Sequence, residues 1–126
     1  MALASYSALY QALLNNVVEI RFGRRRRLAG LPPIRRMICT NNAPLLNSVN
    51  GKVTLNYRAP SHPLKYDPAS QNLIITWDIL MQDFRNISLE SCEIVKTYAP
   101  NEEFWSYFNS NIYIMSQQEK ITFMMS

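Results

Sequence analysis

Leu73-Ile74-Ile75-Thr76-Trp77-Asp78-Ile79 is the stretch from which the fold follows. It is dense in β-branched and aromatic residues and short, which is the signature of a strand packed into a core. Phe84 to Leu89 (FRNISL) reads as its partner, with Leu80, Met81, Gln82 and Asp83 as the hairpin turn between them. Upstream, Ile34 to Thr40 (IRRMICT) sets Ile34, Arg36 and Ile38 against Arg35, Met37 and Cys39, the period-2 alternation of another strand. Val17 to Phe22, closed by Gly23, has the same period and should pair with it across the segment RRRRLAGLPP. That segment carries Gly30, Pro32 and Pro33 and can continue neither strand, so it is expected to be an exposed basic loop. Glu93 to Tyr98 (EIVKTY) supplies a further strand before Pro100. In the Asn-, Pro- and Ser-rich stretch 41–71, Asn50-Gly51 is a hairpin signal, with a short strand expected in Lys52 to Arg58.

Helical patterning is confined to the ends. Leu3, Tyr6, Leu9, Tyr10, Leu13 and Leu14 recur at helical spacing within Ala2 to Leu14. Asn101 is placed to cap a second helix, with Glu102 and Glu103 in the first turn, where the helix dipole favours acids, and Phe104, Trp105, Tyr107 and Phe108 behind them. The last eighteen residues read either as two strands, NIYIMS and KITFMM, or as a broken helix. Short strands in succession with helices only at the ends predict a mainly β chain, α+β overall. The expected form is a small barrel or rolled sheet over 17–98, with an insertion at 41–71, a helix at 1–15 and a helical extension at 101–126.

The whole chain, 126 residues with 48% apolar and 17% charged residues, is one domain's worth of material. Typical domains carry about 25% charged residues, so the composition excludes a disordered tail, and the length excludes a two-domain enzyme. Cys39 and Cys92 lack C-x-x-C spacing, and neither a metal site nor a disulfide framework is expected. Polar Gln11, Asn15 and Asn16 interrupt the N-terminal apolar run, so neither a signal peptide nor a membrane anchor is expected, and the thiols should be reduced in the cytosol.

Arg36-Met37-Ile38-Cys39-Thr40, followed by Leu73-Ile74-Ile75-Thr76-Trp77-Asp78 and then Phe84-Arg85, resembles the WYL-like, Sm-like SH3-type small β-barrel proteins of tailed bacteriophages. The resemblance covers about residues 17–96, with Val17 to Phe22 as the opening strand and Ser91 to Val95 as the closing one. It implies an SH3-like or Sm-like barrel, a phage setting in the host cytoplasm or virion, and no catalytic residues to carry over. Nucleic-acid or ligand binding by such barrels is an analogy at the level of fold.

The chemistry of the chain centres on arginine. Thirteen Lys and Arg against nine Asp and Glu give a formal charge of +4. The basic residues are concentrated in Arg21, Arg24, Arg25, Arg26, Arg27, Arg35 and Arg36. Such a field draws phosphate or an acidic protein surface, and the planar guanidinium fork meets phosphate oxygens with two hydrogen bonds. The leading expectation is a nucleic-acid interface, DNA or RNA, made of Arg24 to Arg27 backed by Arg35 and Arg36, with Tyr57 and Tyr66 as stacking rings. The bland alternative is a solvated loop that only keeps the protein soluble.

A rival expectation is docking on a host or phage protein, and a third is a minor structural role in the virion. For docking, a helix advancing about 100° per residue puts Phe104, Tyr107 and Phe108 on the packed side and turns Trp105 outward as an anchor. That holds unless the segment with Ile112, Ile114, Ile121 and Phe123 folds back over it. Asp78 and Arg85 are expected to pair near a hairpin end. His62, alone in Ser-His-Pro, reads as a surface residue, and Cys39 and Cys92 as small buried hydrophobes. There is no Gly-rich phosphate loop, no H-E-x-x-H and no paired carboxylate motif. The chain therefore reads as non-catalytic, with no cofactor.

Overall fold

Ser5 opens the first helix by accepting a hydrogen bond from the Ala8 amide, and α1 (Tyr6–Asn15) buries Leu9 and Leu13. Its last carbonyls, which no helix can satisfy internally, are taken up by the end of a strand: Asn41 N–H donates to Leu13 O and Thr40 Oγ1 to Asn16 O, and Asn42 Nδ2 donates to Leu14 O. The computed structural model describes residues 5–23, 34–58, 68 and 72–125.

Five antiparallel strands follow: β1 (Val17–Gly23), β2 (Ile34–Thr40), β3 (Leu73–Asp78), β4 (Asp83–Ser88) and β5 (Glu93–Tyr98). Their order in the sheet is β4-β3-β2-β1-β5. β1 pairs β2 from Val17↔Thr40 to Gly23↔Ile34, while β2 and β3 share only Cys39↔Asp78 and Thr40↔Trp77. Neighbouring strands lie about 4.8 Å apart, so β1 and β4 would be about 14 Å apart in a flat sheet. Instead Cα atoms of the two come within 8 Å, which requires a strongly coiled sheet. The α+β class with helices at both ends is as expected. The barrel, however, is open: β4 and β5 are edges, and no ladder joins them among the described residues.

The coil has two packed faces. Inside it, Val18, Ile20, Phe22, Met37, Cys39, Ile74 and Ile87 close around Leu9 and Leu13 of α1. The other face carries Val17, Ile38 and Trp77, covered by α2 (Ala43–Leu46), α3 (Glu102–Tyr107) and the π-helical stretch Phe108–Ile112. Asn101 caps α3 by accepting from the Glu103 amide, and Glu103 Oε2 accepts from Ala99 N–H. The terminal segment is the broken helix of the two alternatives, with α4 (Gln117–Met125) laid beside β2 and no residue of it fully buried.

Two elements differ from expectation. Asn50 and Val53 exchange both backbone hydrogen bonds around Gly51, whose φ of +64° a side chain would resist, so the turn forms. The strand expected after it does not. Thr54 Oγ1 bonds to the amide and side chain of Asn56, and Asn56 takes a φ of +55°, which bends the chain out of extended conformation while Leu55 stays buried. The short helix α2 lies in what read as loop, started by Asn42 accepting from the Leu45 amide.

Candidate nucleic-acid interface

β1 and β2 pair to their ends, so the last rung, Gly23↔Ile34, is where residues 24–33 leave and re-enter the sheet. Arg24, Arg25, Arg26 and Arg27 lie in that connection, outside the described residues, as do Tyr66 and His62. Gly23 is required at this end: its amide donates to Ser91 Oγ at 2.9 Å, and a Cβ would sit 2.7 Å from that same oxygen.

Arg35 and Arg36 do not form the expected backing. They are adjacent in β2 and therefore point to opposite faces. Arg35 is buried inside the coil, where its Nη2 donates to Asp78 Oδ2 and its guanidinium lies over Phe22 at 5.9 Å. Asp78, 1% exposed, also accepts from the amides of Leu80 and Met81 with Oδ1, so one carboxylate ties β2, β3 and the β3–β4 turn together. Burial raises the Asp78 pKa, opposed by the Met81 amide and by Arg35. The pair expected between Asp78 and Arg85 is not made. The register sets Arg85 opposite Thr76, and its Nη1 donates to Asp83 Oδ2 at 3.0 Å on the surface. Asp83 is held below the usual carboxylate range mainly by that hydrogen bond.

Arg36 lies on the outer face. Its Nε and Nη2 both reach Glu19 Oε2, at 3.2 and 3.1 Å, and its guanidinium is stacked on the Phe123 ring of α4 at 4.0 Å. Glu19 is itself only 6% exposed. Arg35 is thus a structural cation, and Arg36 a half-buried one that neutralises Glu19 and fastens α4.

Tyr57 packs edge-on against Trp77 and Phe84, at 5.2 and 5.9 Å, and those two rings meet at 5.0 Å, so it closes an aromatic cluster on the outer face. Trp105 is buried, at 6% exposure, against Phe104 and Phe108, which overturns the expected protein anchor. The helix buries the arc through Phe104, Phe108, Ile112 and Trp105, and Tyr107 falls at its border. Within α3, at about 100° per residue, Trp105 stands about 100° from Phe104 and about 60° from Phe108, so a buried arc that takes in those two rings takes in Trp105 as well.

Arg21 and Lys96 were not among the site residues expected from the sequence. Arg21 is the one exposed residue of β1, and Lys96 is exposed on β5 with its Nζ 4.9 Å from the Tyr98 ring centroid. The position of Arg21 follows from strand parity, since Val17, Glu19 and Arg21 share a face, whereas Lys96 is set by its pairing with Glu19 next to a bulge. Tyr98 stacks on Tyr107 at 4.5 Å, and burial, with the hydrogen bond between the two, raises its pKa well beyond the usual phenol range.

Both cysteines are free and buried. Burial pushes the Cys39 thiol far above its ordinary value and Cys92 up to about 11, with the Glu93 carboxylate adding to the latter. Neither is a thiolate nucleophile near neutral pH. Among the described residues no group of three or more His, Cys, Asp or Glu is arranged to hold a metal, and no helix is long and apolar enough to cross a membrane. Comparison with protein-family models, with curated proteins and with solved structures finds no match for this chain.

Proposed function

We propose that this protein is a non-catalytic module that binds nucleic acid through the connection between β1 and β2, with Arg24, Arg25, Arg26 and Arg27 as its phosphate contacts. One observation carries the reading. Without those four arginines the chain would hold nine basic against nine acidic residues, so its whole positive excess equals the charge of one connection. The ion pairs elsewhere sharpen this, because Arg35, Arg36 and Arg85 each face a carboxylate. Four guanidinium groups joined to the end of a paired hairpin suit a phosphate backbone, whose repeating charge rewards several contacts at once. The phage setting and the host cytoplasm that the resemblance implies belong to the same proposal.

The test is a titration of the protein against a fluorescent single-stranded oligonucleotide at a series of salt concentrations. Four phosphate contacts should contribute about −3 to the slope of log K against log[salt], to which any further contacts add. Absence of binding at low salt, or binding indifferent to salt, contradicts the reading. A pull-down from lysate with and without nuclease tells nucleic acid from an acidic protein, since capture of a protein that survives nuclease points to the latter.

A further inference from the structure

We infer that the nucleic-acid surface does not stop at the β1–β2 connection but continues onto the outer face of the sheet, where Arg21 of β1 and Lys96 of β5 contact successive parts of the phosphate backbone. The inference rests on the nucleic-acid reading above and adds residues to it. The helical cover of that face ends between two positions of one strand: Glu19 is 6% exposed, whereas Arg21, two residues nearer the arginine run, is exposed. Beyond it the last rung pairs Gly23, which has no side chain, with Ile34, which is 54% exposed. The outer face therefore presents an open strip from Arg21 to the last described rung, Gly23↔Ile34.

Lys96 lies on the same strip. It is opposite Glu19 in the β1–β5 ladder, one rung beyond the bulge that separates that rung from Arg21↔Glu93, and its Nζ lies by the Tyr98 ring, farther along the strip from the connection. Neither Arg21 nor Lys96 makes an ion pair with a described residue, while the cation between them and β3, Arg36, is matched by Glu19. Arg21 and Arg36 stand directly opposite each other across the β1–β2 ladder. Like charges so placed repel, and a bound phosphate would relieve the repulsion. Two described carboxylates border this strip: Glu19, opposite Lys96 but engaged by Arg36, and Glu93, half-buried and opposite Arg21 on β5. Glu93 lowers the local potential without closing on Arg21, so its removal should help binding.

Three variants test this against the same labelled oligothymidylate. Arg21→Gln with Lys96→Gln should flatten the slope of log K against log[salt] by about 1.4, that is about 0.7 for each lost contact on a single strand. Glu93→Gln should tighten binding at low salt. Changing Arg24 to Arg27 together to Ala should remove most of the salt dependence. If the parent binds and the four-arginine variant loses affinity while Arg21→Gln/Lys96→Gln keeps the parent's slope, the extended surface is wrong and the loop interface stands. If the parent itself shows no salt-dependent binding, the nucleic-acid reading fails and the extension falls with it.

Discussion

Arg35 and Arg36 are consecutive in one strand and end in two different environments. Arg35 goes inside the coil, loses nearly all contact with water, and pairs with an Asp78 that is equally dry. Arg36 goes to the outer face, keeps a quarter of its side chain in solvent, and is shared between Glu19 and the Phe123 ring. The pair teaches that the count of arginines in a stretch is a poor measure of its electrostatic footprint. A guanidinium already matched to a carboxylate contributes little field to a distant phosphate, so what counts is which cations the fold leaves without one. By that measure Arg35 and Arg36 drop out of the proposed interface, and Arg21, which makes no ion pair with a described residue, enters it.

The largest effects should come from the aromatic core of the outer face. Trp77→Ala, at a side chain only 1% exposed, should cost ~3–5 kcal/mol, as should Trp105→Ala, read from urea denaturation. A folded Trp105→Ala protein with unchanged midpoint would return that ring to the surface.

Next comes the inner arginine. Arg35→Met leaves Asp78 buried without its cation and should cost about 3 kcal/mol near neutral pH. The sign of its pH dependence follows from Asp78. Burial raises its folded-state pKa, so the destabilisation is absent below the unfolded value and grows as pH rises through the folded one. A deficit that deepens in acid would mean that Asp78 is held ionised by something other than Arg35.

A smaller change is expected at the outer arginine. Phe123→Ala removes the ring under Arg36 and should cost about 1 kcal/mol, with α4 loosened first in hydrogen exchange. A loss as large as that at Arg35 would erase the distinction between the two faces.

Most of the sheet was legible because its strands are short, rich in β-branched residues and punctuated. Val17 to Gly23 and Ile34 to Thr40 follow a period of two between Gly23 and the Pro32-Pro33 pair, while Glu93 to Tyr98, whose period a bulge breaks, is marked by Ile94, Val95 and Thr97 and by Pro100. Closure into a barrel was not legible, since it depends on whether β4 meets β5, a pairing between distant strands. The partner of Asp78 was missed for the same reason: local register suggests Arg85, but Arg35 reaches the carboxylate from 43 residues away. Lys52 to Arg58 misled because its apolar residues look strand-like, whereas the Thr54 and Asn56 side chains compete for the backbone. The misplacement of Trp105 came from choosing the wrong arc of a helix with aromatic residues on two sides. Arg21 was within reach of parity reasoning and Lys96, beside a bulge, was not; the exposure of both depends on where the covering helices end.

The most direct test of the central claim separates stability from binding in one variant. With Arg24, Arg25, Arg26 and Arg27 all changed to Ala, the melting temperature should stay within about a degree or two of the parent's if the run serves binding and not folding, since surface charges in general add little to stability. Affinity for a single-stranded oligonucleotide at low salt should fall by at least tenfold, and the salt slope should collapse. Equal affinity of variant and parent across the salt series would contradict the assignment of the interface to this connection.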